Sequence, residues 1–393
     1  MNRRTADLIF TLSGSPVKDG IVITDADEKV LTVLQPGDAG YDRANADYFP
    51  GWIVPGFVNA HCHLELSHLK GLISSGTGLN GFIEALMLQR DAGEETRRSA
   101  MLKADREMQQ AGIVFTGDIS NGSGSFYVKE VSEIAYHTFI ERFGFNSNKA
   151  DDVMEGGYAL LETLKGLPRN SRGNLCLHAP YSVSLKLLDL ICRELLNTGG
   201  ILSIHNQETF SERELFINGT GPMAERLVKM GISDQTWNPP GISSLTWLGR
   251  RIPENIRVLL VHNTFTEAAD LQEWRARDAW FCLCPGANLF IEQRLPDIEL
   301  FRRMQLKMVI GTDSLASNNQ LDIWEELKLI AGAYPAIEAT ELLEWACMNG
   351  ALLFNVSNLL GTIEPGKQPG LVWISNADPE GKKILPQSRA QRL

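Results

Sequence analysis

The sequence predicts a (β/α)8 barrel carrying a small β domain assembled from both ends of the chain. Three observations lead there. From residue 53 onward, short apolar runs alternate with helical periodicity, eight times over roughly 300 residues, as successive βα units of a parallel sheet do. Before residue 53 every run is strand-like, and Gly, Pro and Asp turns separate them. After the last helical stretch comes one more strand-like run, 370–375, which is expected to join the N-terminal strands. The expected boundaries are 1–54 with 359–393 for the small domain and 55–358 for the barrel.

The N-terminal strands are expected at 8–12, 20–24 and 30–34. The first barrel strand is the run Pro55-Gly56-Phe57-Val58-Asn59-Ala60-His61-Cys62-His63, apolar in its first half and bounded by proline and glycine. Side chains alternate across a strand, so His61 and His63 project to one side and Cys62 to the other. Two imidazoles side by side can chelate one metal ion. The seven further strands are expected at 113–118, 135–140, 174–178, 200–205, 258–262, 279–284 and 307–313. Helical periodicity covers 99–111, 184–197 and 321–334, and returns at 340–354. The Gly- and Pro-containing stretch 212–250 is long enough for a lid after the fifth strand.

Composition narrows the class. A hydrophobic content of 44% supports a large core, and the net charge of −11 comes without a basic cluster of the kind that binds nucleic acid. No apolar run reaches the ~18 residues of a membrane span, and the start, with Asp7 inside its first apolar run, does not read as a signal peptide. Cytoplasm is the expected compartment. The six cysteines are scattered, several in apolar runs, as buried thiols rather than a disulfide framework. Cys282-Leu283-Cys284 lacks the second pair that a zinc ribbon needs, and Trp274 and Trp280 read as core.

At five of the eight strand ends stand the candidate site residues His61/His63, His178, His205, His262 and Asp313. Five of the chain's 7 histidines fall at these ends, the edge where this fold carries its active sites. A catalytic zinc takes three or so N/O ligands and keeps a position for water, whose pKa it lowers to about 7. His61, His63, His205 and Asp313 supply three imidazoles and a carboxylate. Glu208, three residues past His205, can reach the same water and move its proton to a leaving nitrogen. His262 is expected to steady the attacked centre, with Asp313 assisting. His178 is expected to bind substrate; a purely structural imidazole is the alternative. Glu65 continues the alternation of His61 and His63, so it either faces substrate or forms a loop ion pair.

Together, Pro55 to His63, His178-Ala179-Pro180-Tyr181-Ser182-Val183-Ser184, His205-x-x-Glu208, His262, Cys284-Pro285-x-Ala287-Asn288 and Gly311-Thr312-Asp313-Ser314-x-Ala316-Ser317-Asn318-Asn319 resemble the amidohydrolase superfamily. Within it they resemble the cytosine deaminase/chlorohydrolase branch, with its S-adenosylhomocysteine and aminodeoxyfutalosine deaminases. The resemblance spans nearly the whole chain. It implies a barrel flanked by a small β-sandwich, one zinc or in some members iron, and hydrolytic deamination of a ring amidine. It also implies a homodimer or larger homo-oligomer. Binuclear relatives carry a lysine on the fourth strand where this chain has His178, which favours one metal; Glu141 is the residue that keeps a second in play. Gly370 stands where an aspartate is usual and Ala287 where serine is common, departures that leave the metal ligands untouched.

The first reading is therefore a mononuclear zinc aminohydrolase of an aminopurine nucleoside or related heterocycle. A chlorohydrolase or amide hydrolase of small heterocycles with the same site is the runner-up. A non-enzymatic metal-holding barrel is the third reading, and Glu208 with His262 argues against it, since a structural zinc needs neither.

Overall fold

Residues 1–229, 231 and 238–393 are described by the structure, a computed structural model. The chain opens in strands: Asn2–Ile9 (β1), Val17–Lys18 (β2), Ile21–Thr24 (β3), Val30–Leu34 (β4) and Asp47–Pro55 (β5). Gly56 then turns the chain toward its interior. A Cβ there would lie 2.3 Å from Val114 Cγ1 and 2.6 Å from the Pro369 carbonyl, so no larger residue fits.

Strands and helices then alternate. Phe57–Cys62 (β6) leads through Gly78–Gln89 (α1) and Glu94–Gln110 (α2) to Ile113–Ser120 (β7), Phe126–Val131 (α3) and Ala135–Arg142 (β8). Ala150–Lys165 (α4), Gly173–Leu177 (β9) and Leu185–Thr198 (α5) precede Ile201–Asn206 (β10). Phe210–Asn218 (α6), Pro222–Lys229 (α7) and Ser244–Gly249 (α8) connect to Arg257–His262 (β11) and Ala279–Leu283 (β12). Pro285–Glu292 (α9), Ile298–Arg303 (α10), Lys307–Ile310 (β13) and Ile323–Ala333 (α11) follow. A continuous helical stretch, Ala339–Leu343 (α12), a π-helical turn at Glu344–Met348 and Asn349–Leu353 (α13), precedes the last strands, Leu371–Ser375 (β14) and Arg389–Arg392 (β15). Part of the segment expected to form a lid, residues 230 and 232–237, lies outside the described residues.

The local rules are visible in α5. The Ser184 hydroxyl caps its start by accepting from Leu187 N, and Leu187, Leu188, Ile191, Cys192 and Leu195 form the buried stripe at helical spacing. Gly199, left-handed at φ 71°, ends it by donating to the Leu195 carbonyl. Strands β6 and β7 are buried at every position, which is why their sequences are continuous apolar runs rather than alternating ones.

Two four-stranded parallel sheets result, ordered β6-β7-β8-β9 and β10-β11-β12-β13. They meet along two seams. At one, His205 N donates to the His178 carbonyl at 2.9 Å. At the other, Cys62 and Asp313 form a parallel bridge, and Thr312 N and Asp313 N donate to the His61 carbonyl at 3.0 and 3.1 Å. All eight C-terminal strand ends therefore lie at one edge. Val58, Ala60, Phe115, Phe139, Val261 and Cys282 pack in one apolar cluster, and a larger cluster joins the helices to the outer strand faces.

The terminal segments share one seven-stranded sheet, β15-β14-β5-β1-β3-β4 with β2 beside β1. Leu8, Phe10, Trp52 and Val54 belong to the main core, where the Trp52 ring meets Trp324 edge-on at 6.2 Å. Ala6, Ile9, Val22 and Ile53 form a separate small cluster with Ile363 and Leu371. All six cysteines are free and buried, as expected, and Trp274 and Trp280 are core residues. Among the described residues, no helix is long and apolar enough to cross a membrane.

Candidate active site

Irregular backbone brings the strand-end side chains together. The pairing of β6 with β7 shifts register between Asn59 and Cys62. Val58 and Ala60 lie in the apolar cluster, so strict alternation would turn His61 away from it; the irregularity re-aims the ring. Gly311 admits the close approach of β13, because a Cβ there would lie 2.8 Å from Cys282 Sγ and 2.9 Å from His61 Cβ. The strand expected to run to Asp313 ends at Ile310 instead. Asp313 at φ 56°, His262 at φ 73° and Gln207 at φ 46° all adopt left-handed backbone, a concentration of local strain typical of working sites.

Four donor atoms converge. His63 Nε2 lies 3.1 Å from His61 Nε2, 3.3 Å from His205 Nε2 and 3.4 Å from Asp313 Oδ1; His61 Nε2 is 3.5 Å from the same oxygen. Ligands held tetrahedrally at about 2.0–2.1 Å from one ion stand about 3.3–3.4 Å apart, so this donor set fits a single metal ion. His205 Nδ1 lies 2.7 Å from the His178 carbonyl. A carbonyl only accepts, so the proton sits on Nδ1 and Nε2 keeps its lone pair. Burial pushes the His63 imidazole down to about 4 and holds His205 well below its ordinary value, which keeps both neutral and fit to ligate. The Ser317 hydroxyl donates to Asp313 Oδ2 at 2.5 Å and fixes the carboxylate.

Beside this cluster, Glu208 is buried, and its Oε1 lies 3.6 Å from His262 Nε2. Burial, with the Asp313 charge adding to it, raises the Glu208 carboxyl well above the usual range. His262 offers a nitrogen within 4.8 Å of donors from His61, His205 and Asp313. His178 lies just past β9, half-buried, its ring centroid 5.1 Å from that of His205 and its Nδ1 2.8 Å from Ser182 Oγ.

The expectation for Glu65 changes. His63 sits one residue beyond β6, and the next turn, Leu64–Leu69, is 3-10 helical, so Glu65 does not continue the strand alternation. The chain is half-buried there, and the Glu65 carboxyl accepts from Asn121 N at 3.0 Å, with burial raising it to about 7.

Residues the sequence did not single out support the site. Glu326 accepts from Gly286 N and Asn318 Nδ2, both at 2.7 Å, and so ties the loops after β12 and β13 together. Asp118 accepts from Leu64 N at 2.8 Å, anchoring the backbone next to His63, and pairs with Lys129 at 2.7 Å. Both side chains of that pair are fully buried, and Lys129 also donates to Ser120 and Thr138 at 2.9 Å. Asp118 closes an expected strand and was readable as a strand-end carboxylate; nothing in the sequence pairs it with Lys129. Lys129→Met is expected to destabilise the fold by about 3–5 kcal/mol in denaturant unfolding, because it strands a buried charge. A loss under about 1 kcal/mol would mean that the pair is not the anchor described.

A match to the amidohydrolase family profile runs over residues 52–388. The chain belongs to the amidohydrolase family. Among amidohydrolases and related deaminases it is 24% identical over 354 residues to the adenosine deaminase of Helicobacter pylori, covering 88% of this chain and 85% of that one. It is 27% identical over 342 residues to the 5-methylthioadenosine/S-adenosylhomocysteine deaminase of Teredinibacter turnerae, with 83% and 72% covered. The crystal structure of Helicobacter pylori aminofutalosine deaminase in complex with methylthio-coformycin superposes with a TM-score of 0.79 at 22% identity, over 94% of this chain and 91% of that one.

Proposed function

We propose that this protein is a metal-dependent hydrolytic deaminase that releases ammonia from an aminopurine nucleoside or a related heterocycle. The convergence of four metal-donor atoms next to the buried Glu208 carboxyl and the His262 imidazole carries the reading. The named activities of the two relatives above, deaminations of adenosine and of 5-methylthioadenosine or S-adenosylhomocysteine, support it. In this reading His61, His63, His205 and Asp313 hold one ion, zinc or iron. When bound, the ion supplies Lewis acidity that brings the pKa of water to about 7 and so provides a nucleophile at neutral pH.

The chain's own groups do the rest. Glu208, protonated through burial, donates to the ring nitrogen beside the amino-bearing carbon and so absorbs the charge that develops during attack. His262 orients the attacking oxygen at that carbon; of the two protons that the water gives up, one reaches the departing amine with the help of Asp313, aimed by Ser317, and the other restores the proton on Glu208. His178 and Glu65 orient the remainder of the substrate. For the architecture, the reading closes the two parallel sheets into one (β/α)8 barrel over residues 55–358. Segments 1–54 and 359–393 then form a small domain whose sheet folds over as a β-sandwich.

A panel of aminated bases and nucleosides, assayed for ammonia, tests the reading. Ammonia is expected fastest from a 6-aminopurine nucleoside with an enlarged 5′ substituent, such as S-adenosylhomocysteine or aminodeoxyfutalosine. Faster turnover of free cytosine or guanine would overturn that preference. Release of chloride or a carboxylate product, with no ammonia from any aminated ring, would replace the reading with a chlorohydrolase or amide hydrolase.

A further inference from the structure

Three adjacent strand ends carry a polar arrangement of which the chemistry above uses only Glu65. Glu141, next to last in β8, is 3% exposed. Its Oε2 accepts from Asn121 Nδ2 at 2.8 Å, while its Oε1, also buried, has no hydrogen-bond partner among the described residues. That oxygen lies 3.7 Å from His205 Nδ1, and the Glu141 carboxylate stands within 4.8 Å of ring nitrogens of both His178 and His205. It is therefore aimed into the site. Asn121 itself follows β7 directly. Its backbone N–H goes to Glu65 Oε1 at 3.0 Å, and Arg142 holds its carbonyl at 3.0 Å. One asparagine thus clamps two carboxylates side by side.

A buried acceptor with no partner is costly unless a ligand completes it. A second metal ion is one candidate occupant, since Glu141, His178 and His205 form a group of ligand type. The His205 tautomer opposes it: Nδ1 gives its hydrogen to the His178 carbonyl at 2.7 Å and has no lone pair to offer on that side. A carboxylate oxygen without a proton accepts, and with the metal set aside the remaining occupant is a group that donates to Oε1.

We propose that Glu141 and Glu65, clamped by Asn121, form a paired-carboxylate subsite that accepts hydrogen bonds from vicinal hydroxyls of a substrate sugar. The class of substrate rests on the deaminase reading. With the ring held at Glu208 and the metal donors, the attached sugar is the part of a nucleoside that carries two O–H donors on neighbouring carbons. Glu141 is then a specificity determinant.

The test is calorimetric binding of hypoxanthine ribonucleoside and of its 2′,3′-dideoxy counterpart to the zinc-loaded protein. Wild type is expected to prefer the ribonucleoside by tenfold or more. Glu141→Gln should weaken ribonucleoside binding by about 10- to 100-fold, the range for a hydrogen bond to a charged group, and change dideoxynucleoside binding less than about threefold, at unchanged zinc content. Asn121→Ala, which leaves both carboxylates but frees them, should also reduce the preference. Equal weakening for both ligands, absence of preference in wild type, or loss of a second equivalent of zinc in Glu141→Gln would overturn the subsite. Ammonia release from aminopurines without sugar preference would refute this subsite and leave the deaminase reading intact. Sugar preference with no ammonia release from any aminated ring would do the reverse.

Discussion

Glu208→Gln is expected to keep its fold and its metal while losing roughly 10²–10⁴-fold in kcat, the usual worth of a positioned general acid–base. Glutamine preserves the shape of the side chain but cannot hand a proton to a ring nitrogen. Its neighbour His262, 3.6 Å away, is a poor substitute because burial lowers its affinity for a proton. Turnover within a few-fold of wild type, at normal metal content, would move proton transfer to another residue. If instead metal content fell with turnover, Glu208 would belong to the donor set.

His61→Ala is expected to produce the other large effect. Removal of a residue that only hydrogen-bonds to a metal ligand already weakens metal affinity by about 10- to 100-fold, and removal of a direct ligand should exceed that. Elemental analysis should give about one ion per wild-type chain and a clear deficit in the variant, with turnover falling in parallel. A His61→Ala protein with normal metal and normal activity would exclude the four-donor site, as would a metal-free wild type that is fully active.

Much of the fold and donor set could be read from the sequence, because the information was periodic or positional. Eight buried strands wrote themselves as apolar runs, and strand-end histidines marked where the donor atoms converge. Strand β5, with Pro50 and Gly51 in its interior and exposed early positions, and the polar edge strand β15 lack that signature. They are strands because partners in the seven-stranded sheet complete their hydrogen bonds, a tertiary cause that no local pattern records. The same limit applies at the site. Glu65 was expected to continue an alternation, but the chain coils into a 3-10 turn after His63. Asn121 and Lys129 are ordinary loop and helix residues in sequence, and only the packing of neighbouring strand ends makes them clamp and counter-ion.

The position of the donors on the seams has a mechanical meaning. His61 and His63 ride on one four-stranded sheet, while His205 and Asp313 ride on the other. The spacing of these four donor atoms is thus a gauge of how the two halves are registered, and it is sensitive at the half-ångström scale to which such constellations must be held. Slippage between the halves would open every inter-half donor distance together rather than one at a time. Substitutions along the seams, far from any reacting atom, should therefore reach the chemistry through alignment, and a fold that keeps its thermal stability could still lose its grip on the ion.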